Sequence, residues 1–185
     1  EQLERLVLLT QRVTGSAAPA DAICAMIRHN PEAGPVGIAA AQACSFSDAG
    51  MEAVYRVIGI GAPGSELALD GLTAILRRGE RWAELGQVLE TRLQEEVDEA
   101  RIYEAMVDYA ELAHGPLSDF RIANRLTTQL AIELSADSRL WQRVLPLAQA
   151  LELSTAEAQC HAALAAHPET STDSRRDHLA RRAEL

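Results

Sequence analysis

The chain has 185 residues, of which 48% are hydrophobic and only 4% aromatic, and it carries a formal net charge of −10. That length and apolar content suffice for one core or a short repeat array and exclude wholesale disorder. The acidic balance excludes nucleic acid and anionic membrane surfaces as partners, since both are held mainly by Lys and Arg.

The 17 basic residues are all Arg, so neither a Schiff-base lysine nor a phosphate-loop lysine exists. Ala and Leu, the strongest helix formers, dominate the apolar set, and β-branched residues are sparse, which points to an all-α protein. Cys24, Cys44 and Cys160 are widely separated and form no CxxC, the pattern of reduced thiols in a cytoplasmic protein. No apolar run approaches the roughly 18 residues that span a bilayer, and no signal-peptide pattern opens the chain. The chain begins at Glu1 and stops at Leu185 inside a helical pattern, which leads us to expect a piece of a longer protein.

In chain order, Leu3, Leu6, Val7 and Val13 recur at helical spacing from residue 1 to about 14, and Gly15, Ser16 and Pro19 break the pattern. Short helices are expected at about 21–29, 35–44 and 48–58, followed by a glycine loop at 59–64. Beyond it the pattern sharpens. Ser65 is placed to cap a helix to about Arg78 with Leu69, Leu72 and Leu76 on one face, and 81–96 follows with Trp82, Leu85 and Leu89. The segment 98–114 carries Ile102, Met106, Tyr109 and Ala113, and 119–134 carries Phe120, Ala123, Leu126 and Leu130. The segment 137–151 carries Leu140, Trp141, Val144, Leu145 and Ala148. Pro146 within it is expected to kink the helix, at up to about 3 kcal/mol. Ser154 with Glu157 reads as a capping box opening a helix to Ala166, and a further helix begins near Asp173. The helices pair at a period of roughly 35 to 38 residues, and amphipathic pairs of this kind bury their apolar stripes only by stacking on neighbours.

Leu69, Leu72, Thr73 and Leu76, followed by Glu80, Trp82, Leu85 and Leu89, give this stretch a specific look. It resembles a tetratricopeptide repeat of the divergent, Ala/Leu/Arg-rich bacterial type, with Arg77 to Leu85 as the turn between its two helices. The pairs 98–134 and 137–167 look like degenerate copies. The resemblance covers residues 65–185 and implies an antiparallel helix-hairpin array, an α-solenoid, with 1–60 as a divergent helical segment. An irregular α-helical bundle is the alternative. The resemblance further implies work by surface, in a groove lined by the first helix of each pair. The polar residues there that we expect to meet a partner are Arg77, Arg101, Tyr103, Asp108 and Arg143.

Other motifs are weaker. Gly59, Gly61 and Gly64 spell a GxGxxG after Val54–Ile58, which could pass for a strand, but no second strand follows to complete a nucleotide-binding unit. Cys160, His161 and His167 are the nearest approach to a metal cluster, short of the ligands zinc needs. His29 and His167 sit where imidazole meets terminal helix carbonyls. Glu95, Glu96, Asp98 and Glu99 read as a solvated turn. The sequence thus leads us to expect no enzyme, no cofactor and no metal. It points to a scaffolding module whose partner is another protein or another part of the same longer protein. The alternatives are a ligand-binding or enzymatic all-α domain using the loop 59–64, and a structural spacer.

Overall fold

The Ala- and Leu-rich segments fold as ten α-helices in a computed structural model of the chain, which describes residues 18–59, 61–133, 138–168 and 170–185. They are α1 (Ala18–His29), α2 (Gly34–Ala43), α3 (Asp48–Val57), α4 (Ser65–Arg78), α5 (Trp82–Glu95), α6 (Glu99–His114), α7 (Phe120–Glu133), α8 (Ser138–Ala150), α9 (Ser154–Ala166) and α10 (Thr172–Glu184). Among the described residues there is no strand, and the protein is all-α. The helix expected at 1–14 lies outside the described residues.

The chain divides into two compact units, one ending at Arg81 and the other beginning at Trp82. In the first, α3 packs on α1, α2 and α4, around Ile23, Ile27, Ile38, Val54 and Leu76. Glycine at position 71 lets α4 approach Tyr55 closely: a Cβ there would stand 2.3 Å from Tyr55 Cζ. Arg81 and Arg56 both bind Glu52, at 2.6 and 2.8 Å.

In the second unit each helix from α5 packs against its successor. In addition α6 packs on α8 and α7 on α9. The one-sided stripe expected of α6 is too narrow, because that helix sits between α5, α7 and α8. Tyr103, Ala105, Met106, Val107, Tyr109, Ala110, Leu112 and Ala113 are all buried.

Several local expectations need correction. Ser65 is the first residue of α4, not its cap; Gly64, with φ of 85°, holds the cap position without a side-chain hydrogen bond. Ser154 likewise opens α9 from inside, after Leu153, and forms no capping box. Glu157 turns instead to Gln149, whose Nε2 donates to it at 2.9 Å. Phe120 is 54% exposed and meets the edge of the His114 ring. In α8, Leu147 takes the buried place expected of Leu145. As in its expected range, the helix continues past Pro146, to Ala150. The acidic turn does local work: Asp98 caps α6 by accepting from the Arg101 amide at 3.1 Å, and Glu96 accepts from the amides of Val97 and Asp98.

Candidate functional site

The site is built from α8, α9, α10 and, from the connection between the last two, His167, Thr170 and Ser171. On α9, Ala156, Cys160, His161, Leu164 and Ala165 form the buried stripe, their spacing of four and five placing them on one face. His161 is therefore a histidine in a core position, 4% exposed. After His167 and Pro168 the chain turns. Thr170 Oγ1 donates to the Leu164 carbonyl at 2.6 Å, and Ser171 caps α10 by accepting from the Ser174 amide at 3.2 Å. Arg175 Nη2 donates to the His167 carbonyl at 3.3 Å.

α10 is Arg-rich and has no buried residue. All of it is exposed except His178, which is half-buried. His178 faces His161: their Nδ1 atoms are 2.9 Å apart and their ring centroids 5.2 Å. A contact between two ring nitrogens needs one protonated and one bare. Glu157 Oε1 lies 3.6 Å from His161 Nε2, beyond hydrogen-bond reach, and that buried nitrogen has no hydrogen-bond partner. Which of the two rings donates depends on their tautomers. Burial pushes the His178 imidazole below its ordinary range; His161 adds to the shift and Asp177 opposes it. Burial thus disfavours the charged form of His178.

Above this pair opens a groove of about 540 Å³. Leu145, Pro146 and Leu164 supply its apolar floor. Gln142, Gln149, Thr170, Ser171 and Ser174, with His167 and His178, supply hydrogen-bonding groups. Pro146 has no N–H to donate to the carbonyl of Gln142. Among the described residues no Asp, Glu or Arg side chain lines the groove.

The residues expected at a partner surface fall elsewhere. Arg143 on α8 donates through Nε and Nη2 to Glu111 at 2.8 and 2.6 Å, and through Nη2 to Asp108 at 2.6 Å. These carboxylates hold the guanidinium firmly protonated, so Arg143 and Asp108 meet each other as a clamp between α8 and α6. Tyr103 is buried, its hydroxyl 2.8 Å from Glu99 Oε1 and 2.9 Å from the Glu133 carbonyl, two acceptors for one proton. Arg101 is half-exposed in the first turn of α6, and Arg77 is exposed on α4 in the first unit. Of the five, Arg143 and Asp108 are brought into contact. The α8–α10 groove was not singled out from sequence. Its one advance signal was Pro146, a helix interruption that needs an open face.

The Val54–Val57 segment ahead of the glycine loop is the last part of α3, not a strand. The loop packs on the start of α2: a Cβ on Gly34 would stand 2.3 Å from the Pro63 carbonyl oxygen. Among the described residues no group of three or more His, Cys, Asp or Glu could hold a metal ion. Burial pushes the Cys160 thiol up to about 12. No described helix is long and apolar enough to cross a membrane.

The chain matches no protein-family model, no curated protein and no solved structure.

Proposed function

We propose that the protein is a protein–protein interaction module of helix hairpins, and that the groove between α8 and α10 receives an extended, uncharged segment of its partner. The observation that carries this reading is the groove's lining. Neutral side chains that donate or accept, from Gln142, Gln149, Thr170 and Ser174, stand around an apolar floor. Such groups match the alternating N–H and C=O of an extended backbone, while the floor of Leu145, Pro146 and Leu164 suits a small apolar side chain. Among the described lining residues a charged ligand would find no counter-charge to offset its lost hydration.

The packing supports a tetratricopeptide-like array as the scaffold. Contacts from α5 onward run to the next helix, and for α6 and α7 also to the next but one. Stacked hairpins bury their stripes in this way. The Arg143 clamp spans 35 residues to Asp108, one hairpin along the chain. The partner is then another protein or another region of a longer chain that contains this one.

A peptide-display selection tests the reading. Selected peptides should be poor in Asp, Glu, Lys and Arg and should perturb the amide signals of Gln142, Gln149 and Ser174. Binding should weaken at least about tenfold with Gln142→Trp, a change worth roughly 1.4 kcal/mol. Binders that map away from α8 and α10, or that ignore the Trp, would refute it.

A further inference from the structure

Two polar residues of the groove lining are connected through α9. Gln149 on α8 and His178 on α10 both line the groove. Gln149 Nε2 donates to Glu157 Oε1 at 2.9 Å, and the same oxygen lies 3.6 Å from Nε2 of the buried His161. The other nitrogen of that ring, Nδ1, stands 2.9 Å from Nδ1 of His178. Glu157 and His161 thus join one lining residue to the other.

This arrangement bears on where the protons sit. The two Nδ1 atoms share one proton, and the neutral ring that donates it has a bare Nε2. If His161 donates, its Nε2 is a buried lone pair without a hydrogen-bond partner, facing a carboxylate oxygen. If His178 donates, His161 Nε2 bears the hydrogen, and its positive end is attracted to the carboxylate. The His161 and Glu157 side chains are only 5% and 17% exposed, so little water screens that difference.

We propose that Glu157, acting through His161, fixes the tautomer of His178, so that the groove presents a bare imidazole nitrogen there and selects a hydrogen-bond donor on the bound segment. With Nδ1 of His178 engaged by His161, Nε2 is the ring nitrogen left for a ligand, and in this tautomer it only accepts. On an extended segment the matching donor is a backbone N–H. Glu157 and His161 are positioning residues, which act on the segment only through His178. The tautomer follows from the side chains themselves; the demand for a donor rests on the groove reading proposed above.

Nitrogen-15 NMR of the histidine rings tests the tautomer in the whole chain, at about pH 8, well above the ordinary imidazole pKa. His178 should show a protonated Nδ1 and a bare Nε2, and His161 the reverse. Glu157→Leu removes the carboxylate and should move both rings towards an even mixture of tautomers. Gln149→Leu breaks the same Gln149–Glu157 bond but keeps the carboxylate, and should leave both rings as in the wild type. A bare Nδ1 on His178 in the wild type would overturn the proposal. So would unchanged tautomers in Glu157→Leu, or an equal shift in Gln149→Leu, which would mean loosened packing.

The demand for a donor is read with a peptide from the display selection, N-methylated at one backbone position at a time. One of these methylations should weaken binding to the wild type about tenfold or more, and binding to His178→Ala far less. Equal losses with both proteins at every position would overturn the donor requirement while the groove reading stands. Peptides that map away from the groove would overturn that reading and the donor requirement with it, but not the tautomer.

Discussion

Arg143 Nη2 lies 2.6 Å from Asp108 Oδ1, and the same guanidinium grips both carboxylate oxygens of Glu111, so one side chain ties α8 to α6 across 35 residues. Removing it leaves Asp108 and Glu111, three apart on one helix face, to repel each other. Arg143→Met should cost about 1 kcal/mol in urea unfolding at low salt, a modest figure because the guanidinium is 38% exposed. The loss should shrink at high ionic strength. A variant as stable as the wild type at low salt would show the clamp to be energetically silent.

Acid stability of the first unit should depend on Glu52. The hydrogen bond from Arg81 holds its carboxyl below the usual range, Arg56 adds to this, and burial opposes it. A depressed native pKa gives stability that is complete above the unfolded value of about 4.3 and disappears as pH falls through the lower native one. Glu52→Gln should therefore lower stability at neutral pH and flatten the pH dependence below about 4.3. Identical acid limbs in the two proteins would contradict the assignment.

At the end of α8 the left-handed position falls to a residue with a side chain. Glu152 has φ of 55° in a turn closed by the Leu153 amide to the Ala148 carbonyl at 2.9 Å. Glycine adopts that conformation without the Cβ clash. Glu152→Gly should stabilise the chain by about 0.5 to 1 kcal/mol, read as a raised Tm. A lowered Tm would show that Glu152 makes a compensating contact.

The thiols should separate cleanly by burial. Cys160 is fully buried, with its thiol pushed up to about 12. Cys24 is buried, its Sγ 3.4 Å from the Ala53 carbonyl, and its thiol is also raised, chiefly by burial. Cys44 is partly exposed. A disulfide-exchange reagent at mildly alkaline pH should label Cys44 rapidly and the other two only on unfolding, since the thiolate is the reactive form. Fast labelling of Cys160 in the native protein would mean that α9 opens locally.

Helix positions were readable because they rest on local signals. Asn30-Pro31, the glycine loop, Gly115-Pro116 and His167-Pro168 stop helices whatever the tertiary context, and the expected ranges from 21 to 185 agree with the observed ones to within a few residues. The capping residues were less legible. Ser65 and Ser154 have the right chemistry for a cap, but whether a residue stands before a helix or begins it depends on how the connection packs. Gly64 against Pro35 decides this for α4.

The surface residues were the least legible. Spacing placed Tyr103, Asp108 and Arg143 on polar faces, as it should for a helix with one neighbour. Once α6 has neighbours on three sides, the same positions become a buried hydroxyl and an interhelical clamp. His161 and His178 each have a local explanation, and nothing in their 17-residue separation announces that two rings will share one proton. Composition and periodicity thus determined an all-helical chain and where its helices run, because helix formation and termination are settled within a few residues. Which polar groups face one another was decided only by tertiary packing, because hydrogen bonds and proton sharing depend on distances between elements that local sequence does not encode.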